Sequence, residues 1–155
     1  MKELKNAPVG KAEMLIRRPV AEVFAAFVEP ELLSKFWLSS SSARLERGAR
    51  LHWSFIICGA ETDVEVLDLV PNERILIEWS GSQKVEWRFT RRADDQTFVS
   101  ITNSGFTGDA DDVVAQALDS TSGFTIVLCE LKAYLEHGLR LRLGPDKFPD
   151  AELRG

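Results

Sequence analysis

Apolar and polar residues alternate with two different periods along this chain, and each change of period marks an element. Ala12 to Arg18 alternates as a strand, with Met14 and Ile16 on one face. Val20, Val23, Phe24 and Phe27 then recur at i, i+3, i+4 and i+7, the spacing of one apolar helix face. Pro19 suits the first position of that helix, and Glu22 complements the dipole in its first turn. Pro30 interrupts the helix and starts a second one, with Leu32, Leu33, Phe36 and Trp37 on its apolar side. Ser39 to Ser42 reads as an exposed loop.

Period two then returns. Leu51, Trp53, Phe55 and Ile57 alternate with His52, Ser54, Ile56 and Cys58. Thr62 to Val70 is the next strand, and Pro71-Asn72 turns the chain. Arg74 to Ser80 sets Ile75, Ile77 and Trp79 on one face, and Gly81-Ser82 turns the chain back. Val85, Trp87 and Phe89 alternate with charged and polar residues, and Thr97 to Asn103 closes the run with Val99 and Ile101 inward. Consecutive strands on short turns predict an antiparallel meander. Asp68 shares strand parity with Val64 and Val66, but Leu67 and Leu69 share the opposite parity, so a bulge near Leu67 is expected to turn Asp68 outward. Asn103 shares parity with Val99 and Ile101 and is a candidate polar contact inside.

After Gly108 the helical period takes over, with Asp109 as N-cap. Val113, Ala117, Phe124, Leu128, Leu131 and Leu135 form one stripe. Asp119 to Gly123 is weak helix sequence and predicts a break near Ser120. Gly138 fits the C-terminal cap. Such a stripe must cover an apolar sheet face. That face offers Trp53, Phe55, Val64, Val66, Trp79, Trp87, Phe89 and Ile101. A strongly curved antiparallel sheet gripping one long helix, an α+β fold, suits so large an aromatic surface. Two readings stay open: the aromatics fill a core, or they wall a cavity.

Bulk properties narrow the function. A length of 155 residues predicts one domain. We divide it into an N-terminal arm over 1–11, a domain over 12–138 and a tail over 139–155. A second, smaller stripe of Ile126, Cys129 and Ala133 calls for cover by the tail or by a second subunit, so monomer and homodimer are both open. The net charge is −5 and acidic residues surround the arginine groups, which argues against nucleic-acid binding. No apolar run spans a bilayer and no signal peptide is evident, so a cytoplasmic location is expected. The cysteines, Cys58 and Cys129, form no CxxC pair. No phosphate loop, HExxH or nucleophile elbow is present, and neither His52 nor His137 has a ligand-spaced neighbour. We therefore expect no metal or cofactor and name no catalytic residue.

Four segments carry a family resemblance: RPVAEVFAAFVEPELLSKFW, VLDLVPNERILIEWS, TFVSITNSGF and GFTIVLCELKAYLE. In this order and spacing they resemble the activators of heat-shock-protein-90 ATPase and their homologues, in the bacterial single-domain branch of the START-like, helix-grip (SRPBCC) superfamily. Phe124 stands where the family usually has tryptophan, and Ala49 where a second glycine is common. The resemblance implies a helix-grip fold, with a curved antiparallel sheet wrapped around a long C-terminal helix and two short helices after the first strand. It also implies an internal cavity for a hydrophobic small molecule, lipid-like or aromatic. The candidate lining is Trp37, Trp53, Phe55, Val66, Trp79, Trp87, Phe89, Ile101, Asn103, Phe124 and Leu128; Trp37, at the end of the second helix, either caps the cavity mouth or staples that helix to the sheet. An alternative is a co-chaperone-like modulator of a heat-shock ATPase, with that chaperone as partner and a role in stress response. A third is a cyclase- or hydrolase-like enzyme, for which only Asp68 and Asn103 are on offer.

Overall fold

The computed structural model describes residues 4–154, so the first three residues of the expected arm lie outside the described residues. Its strands are β1 (Gly10–Ile16), β2 (Leu38–Ser41), β3 (Arg50–Phe55), β4 (Glu61–Val70), β5 (Arg74–Trp79), β6 (Gln83–Ala93) and β7 (Gln96–Ser104). Its helices are α1 (Val20–Val28), α2 (Pro30–Phe36), α3 (Ala110–His137) and α4 (Leu143–Lys147). The strands form one antiparallel sheet in the order β1-β7-β6-β5-β4-β3-β2. The sheet is curved, and α3 lies in its grip. Because β1 pairs with the last strand and β2 with β3, the first two strands occupy opposite edges. Helices α1 and α2 carry the chain between those edges.

Most of the meander follows the alternation. The bulge at Leu67 is present: Val66 pairs with Ile77 and Asp68 with Leu76, leaving Leu67 unpaired. Asp68 turns outward and Leu69 rejoins the core. Outside, the Asp68 carboxylate lies 2.8 Å from Arg47 and 2.7 Å from Arg74. Arg74 also reaches Glu86 at 2.6 Å, and Glu86 binds Arg88 at 3.0 Å. Burial pushes the Asp68 carboxyl up, but the Leu69 amide and the two guanidinium groups outweigh it and hold it below its usual value. In Glu86, burial is likewise outweighed by Arg74 and Arg88. This row of charges occupies the outer sheet face and leaves the inner face apolar.

Several expectations differ from the structure. The strand expected to alternate through Cys58 ends at Phe55, and β1 begins at Gly10, inside the expected arm. The serine run is not a loop: residues 38–41 form edge strand β2. Leu38 is buried there, and the Trp53 indole donates to Ser41 Oγ at 3.1 Å. Main-chain pairing with β3 and these two anchors outweigh a composition with little strand signal. Pro19 is the N-cap of α1 rather than its first helical residue; its carbonyl accepts from Val23 N at 3.1 Å. Finally, α3 runs unbroken through Ser120.

Tertiary contacts explain that continuity. Ser120 donates its hydroxyl to Asn103 Oδ1 at 2.9 Å, and Thr121 Oγ1 accepts the Lys11 amide at 3.1 Å. Gly10 makes room for this approach, since a Cβ there would stand 2.3 Å from Ser120 Oγ. The residues that weaken the helix locally are therefore the ones that bring it against the sheet. Asp109 and Asp112 form a capping box at its start, and Gly138 ends it with φ of 68°.

Beyond Gly138 the chain folds back on α3. The carboxylate of Glu130, only 6% exposed, accepts from the amides of Leu143 at 2.5 Å and Leu141 at 3.3 Å. Lys147 Nζ reaches Ser122 Oγ at 2.7 Å. Ser122, Ile126 and Glu130 are four residues apart, so the returning chain follows the helix face that carries Ile126. Its end pairs with the chain after β3, through Leu153 to Ile57 and Arg154 N to Ile56 O at 2.7 Å.

Candidate functional site

The inner sheet face, α1, α2 and α3 enclose a cluster of aromatic rings. Trp37, the C-cap of α2, sits among six of them. Its ring centroid lies 5.0 Å from Trp53, 5.9 Å from Phe124, 6.1 Å from Trp87 and 6.3 Å from Trp79, with Phe55 and Phe27 beyond at 6.2 and 6.4 Å. Trp79 and Phe124 are stacked at 5.8 Å with an interplanar angle of 29°. These edge-to-face, tilted and stacked contacts hold rings from α1, α2, α3, β3, β5 and β6 in fixed relation.

Beside this cluster lies a cavity of about 290 Å³ between the sheet and α3. Trp37, Trp79, Phe106, Phe124 and Val127 give it apolar walls. Gln83, Asn103, Gln116, Asp119, Ser120 and Gly123 add a polar side, with Asp119 and Gly123 exposed at the mouth. Asn103 is 3% exposed and satisfied at both ends: its amide donates to Lys84 O at 2.9 Å and its oxygen accepts from Ser120. Among the described residues that line it, the one charged side chain is that of Asp119.

The structure gathers four of the eleven residues expected to line a cavity, namely Trp37, Trp79, Asn103 and Phe124. Trp53, Val66, Trp87, Phe89, Ile101 and Leu128 are buried in the packed core instead. Phe55 packs on Trp37 and Trp79 without reaching the cavity. The reason is α1. Its Phe27 fills the space before Trp87 and Phe89, at 5.8 and 6.0 Å, and Phe24 meets Phe89 at 5.2 Å. One end of the grip is thus closed by side chains and only the other end is hollow.

The other lining residues escaped the strand-by-strand reading. Gln116, Ser120, Gly123 and Val127 fall at i, i+4, i+7 and i+11, one face of α3. That spacing is present in the sequence, but it passes through the stretch expected to break. Phe106 follows β7 directly and belongs to no periodic pattern.

A larger groove, about 630 Å³, crosses the outer face of β3, β4 and β5. His52 lies in it, with Nδ1 2.8 Å from Asp63 and Nε2 3.6 Å from Glu61. Arg50, Glu65 and Glu78 give it a mixed-charge floor, with Leu51, Val64 and Trp79 also along its lining. Among the described residues, no group of three or more His, Cys, Asp or Glu is placed to hold a metal ion. No helix among them is long and apolar enough to cross a membrane.

The profile of the family described as Activator of Hsp90 ATPase homolog 1-like protein matches residues 17–136 of the chain. Protein SSP2350 from Staphylococcus saprophyticus is similar to it at 33% identity and a TM-score of 0.77, over 86% of this chain and 96% of that one. The Aha1 dimer from Colwellia psychrerythraea shares the fold at 20% identity and a TM-score of 0.68, over 84% and 97% of the two chains. CalU16 from Micromonospora echinospora shares it at 15% identity and 0.67, over 91% and 89%. Comparison with curated proteins gives no significant match.

Proposed function

Because the chain belongs to the family of Activator of Hsp90 ATPase homolog 1-like proteins, we propose that it acts by holding a hydrophobic small molecule between α3 and the curved sheet. The observation that carries this reading is the hollow end of the grip. There Trp37, Trp79, Phe106 and Phe124 wall a space that the core leaves unfilled. At about 290 Å³ it matches the lower end of small-molecule sites. Beside these apolar walls stand the polar side chains of Gln83, Asn103, Gln116, Asp119 and Ser120, which can orient an apolar body by polar contacts. Among the described residues no nucleophile–base pair lines this space, so the reading is binding rather than turnover. We place that binding in the cytoplasm, in a monomer or homodimer. Modulation of a heat-shock ATPase rests on the family's description alone.

Native mass spectrometry of protein purified without denaturation tests the proposal. The expected spectrum has a second species, heavier by the mass of one small molecule, which disappears when the protein is unfolded. A spectrum holding only the bare chain, also after incubation with a lipid and aromatic extract of the host, would count against a ligand-binding role.

A further inference from the structure

One face of α3 is covered at one end and bare at the other. Ser122, Ile126 and Glu130 lie under the returning chain, which Lys147 and the amides of Leu141 and Leu143 tie down. Asp111, Ala115, Leu118 and Ser122 continue that face toward the N-terminus at i, i+4, i+7 and i+11. The bare half is apolar and acidic. Leu118 is 67% exposed, Val114 and Ala115 beside it are exposed as well, and so are Asp111 and Asp119. No lysine or arginine occurs between Ala110 and Leu131. The covered half is apolar and basic. The chain over it exposes Leu139, Leu141 and Phe148 among Arg140, Arg142 and Lys147, with Asp146 as the one acid of residues 139–148. Of the eight large apolar side chains exposed among the described residues, five belong to these two halves. Single exposed apolar residues are ordinary, but such a concentration marks a contact surface.

We propose that this surface joins two copies of the chain in a two-fold dimer, with the acidic half of α3 in each copy against the basic tail of the other. The halves carry opposite charge and lie along one helix face. A two-fold rotation that runs the two α3 helices antiparallel therefore sets each half against its complement. Parallel helices would bring like halves together. The exposed leucines supply the apolar area of the contact, and the charges fix its register. From Asp111 to Glu130 the face is about 29 Å long, enough for an interface of about 800 Å² per partner. A partner of one charge would match half of this surface and be repelled by the other half, whereas a second copy matches both. This contact does not depend on what the cavity holds.

Sedimentation equilibrium of the full chain tests the proposal at about 100 μM, well above a micromolar dissociation constant. The wild type is expected to be dimeric. Two variants each reverse one half: Asp111→Lys with Asp119→Lys, and Arg140→Glu with Arg142→Glu. Each is expected to raise the dissociation constant at least about tenfold, because like charges then meet twice in its dimer. An equimolar mixture of the two is expected to dimerise as the wild type does, since each reversed half meets its complement again. Recovery on mixing also shows that both variants are folded. If a reversed protein does not fold, Leu118→Ser decides instead. It changes one exposed side chain and is expected to weaken the dimer at least about tenfold. A monomeric wild type, reversed proteins as dimeric as the wild type, or a mixture that stays monomeric would overturn the proposal. So would a Leu118→Ser protein as dimeric as the wild type. Each of these results leaves the ligand-binding proposal standing, because native mass spectrometry tests that one separately.

Discussion

Replacing Trp87 with alanine is expected to lower stability by about 3 kcal/mol and the thermal midpoint by roughly 10 °C. Trp87 is 1% exposed and meets Phe27, Trp37 and Phe124 at ring distances of 5.8, 6.1 and 6.2 Å. Its truncation removes a large apolar surface and leaves a hole that rings on α1, α2 and α3 cannot all close at once. We place the cost at the low end for such a change, because the unpartnered Nε1 leaves with the ring. Trp87→Phe, which keeps most of the packing, is expected to lose less than half as much. Circular dichroism melts of both variants check this. A midpoint for Trp87→Ala within two or three degrees of wild type (~1 kcal/mol) would mean that the cluster is not the close-packed core described above.

Gly10→Val is expected to have a comparable effect for the opposite reason, too much volume instead of too little. Gly10 pairs with Asn103 in the sheet and faces Ser120 of α3. A Cβ at this position would meet Ser120 Oγ at 2.3 Å, Ser120 Cβ at 2.6 Å and the Thr121 amide nitrogen at 3.3 Å. Two of these atoms belong to a short side chain and one to backbone, so none can swing clear. Helix and strand must separate, and the Ser120–Asn103 hydrogen bond breaks with them. A loss of about 3 kcal/mol follows, measurable by urea unfolding. Gly10→Ala is expected to lose less, because one methyl can be met by a smaller shift. A valine variant as stable as wild type would show that α3 does not rest on β1 at this point.

The same junction shows what the sequence does and does not reveal. Asp119 to Gly123 has poor helix propensity, and taken locally it predicts a break. Across the fold, Ser120 and Thr121 are among the residues that dock α3 on β1 and β7, with Lys132 donating to Leu15 O further along. Propensity describes a residue against solvent, and here the neighbours are a glycine and a buried asparagine. The bulge at Leu67 was legible because a parity conflict is internal to one strand: Asp68 and Leu69 cannot both satisfy an unbroken alternation. Strand β2 was not legible, because four residues held by main-chain pairing and Ser41 carry no apolar period. The division of the aromatic face into core and cavity also lies beyond the strand pattern. It depends on where α1 crosses the sheet and on Phe24 and Phe27 filling one end, a relation between elements far apart in the chain.

Gly123 offers the most direct measurement of whether the hollow end binds anything. It lines the cavity mouth, it is helical, and a Cβ added there meets nothing within 4 Å. Gly123→Leu therefore places a branched apolar group at the mouth without strain, in a helix that gains propensity by about 0.8 kcal/mol. Wild type and variant are titrated with 2-isopropylnaphthalene, following the indole N–H signals of Trp37 and Trp79. The account predicts saturable one-to-one shifts at both indoles in the wild type, and at least a tenfold (~1.4 kcal/mol) weaker response in a variant that melts no lower. Equal binding by the two proteins, or no saturable shift in the wild type up to the solubility of the probe, would contradict it.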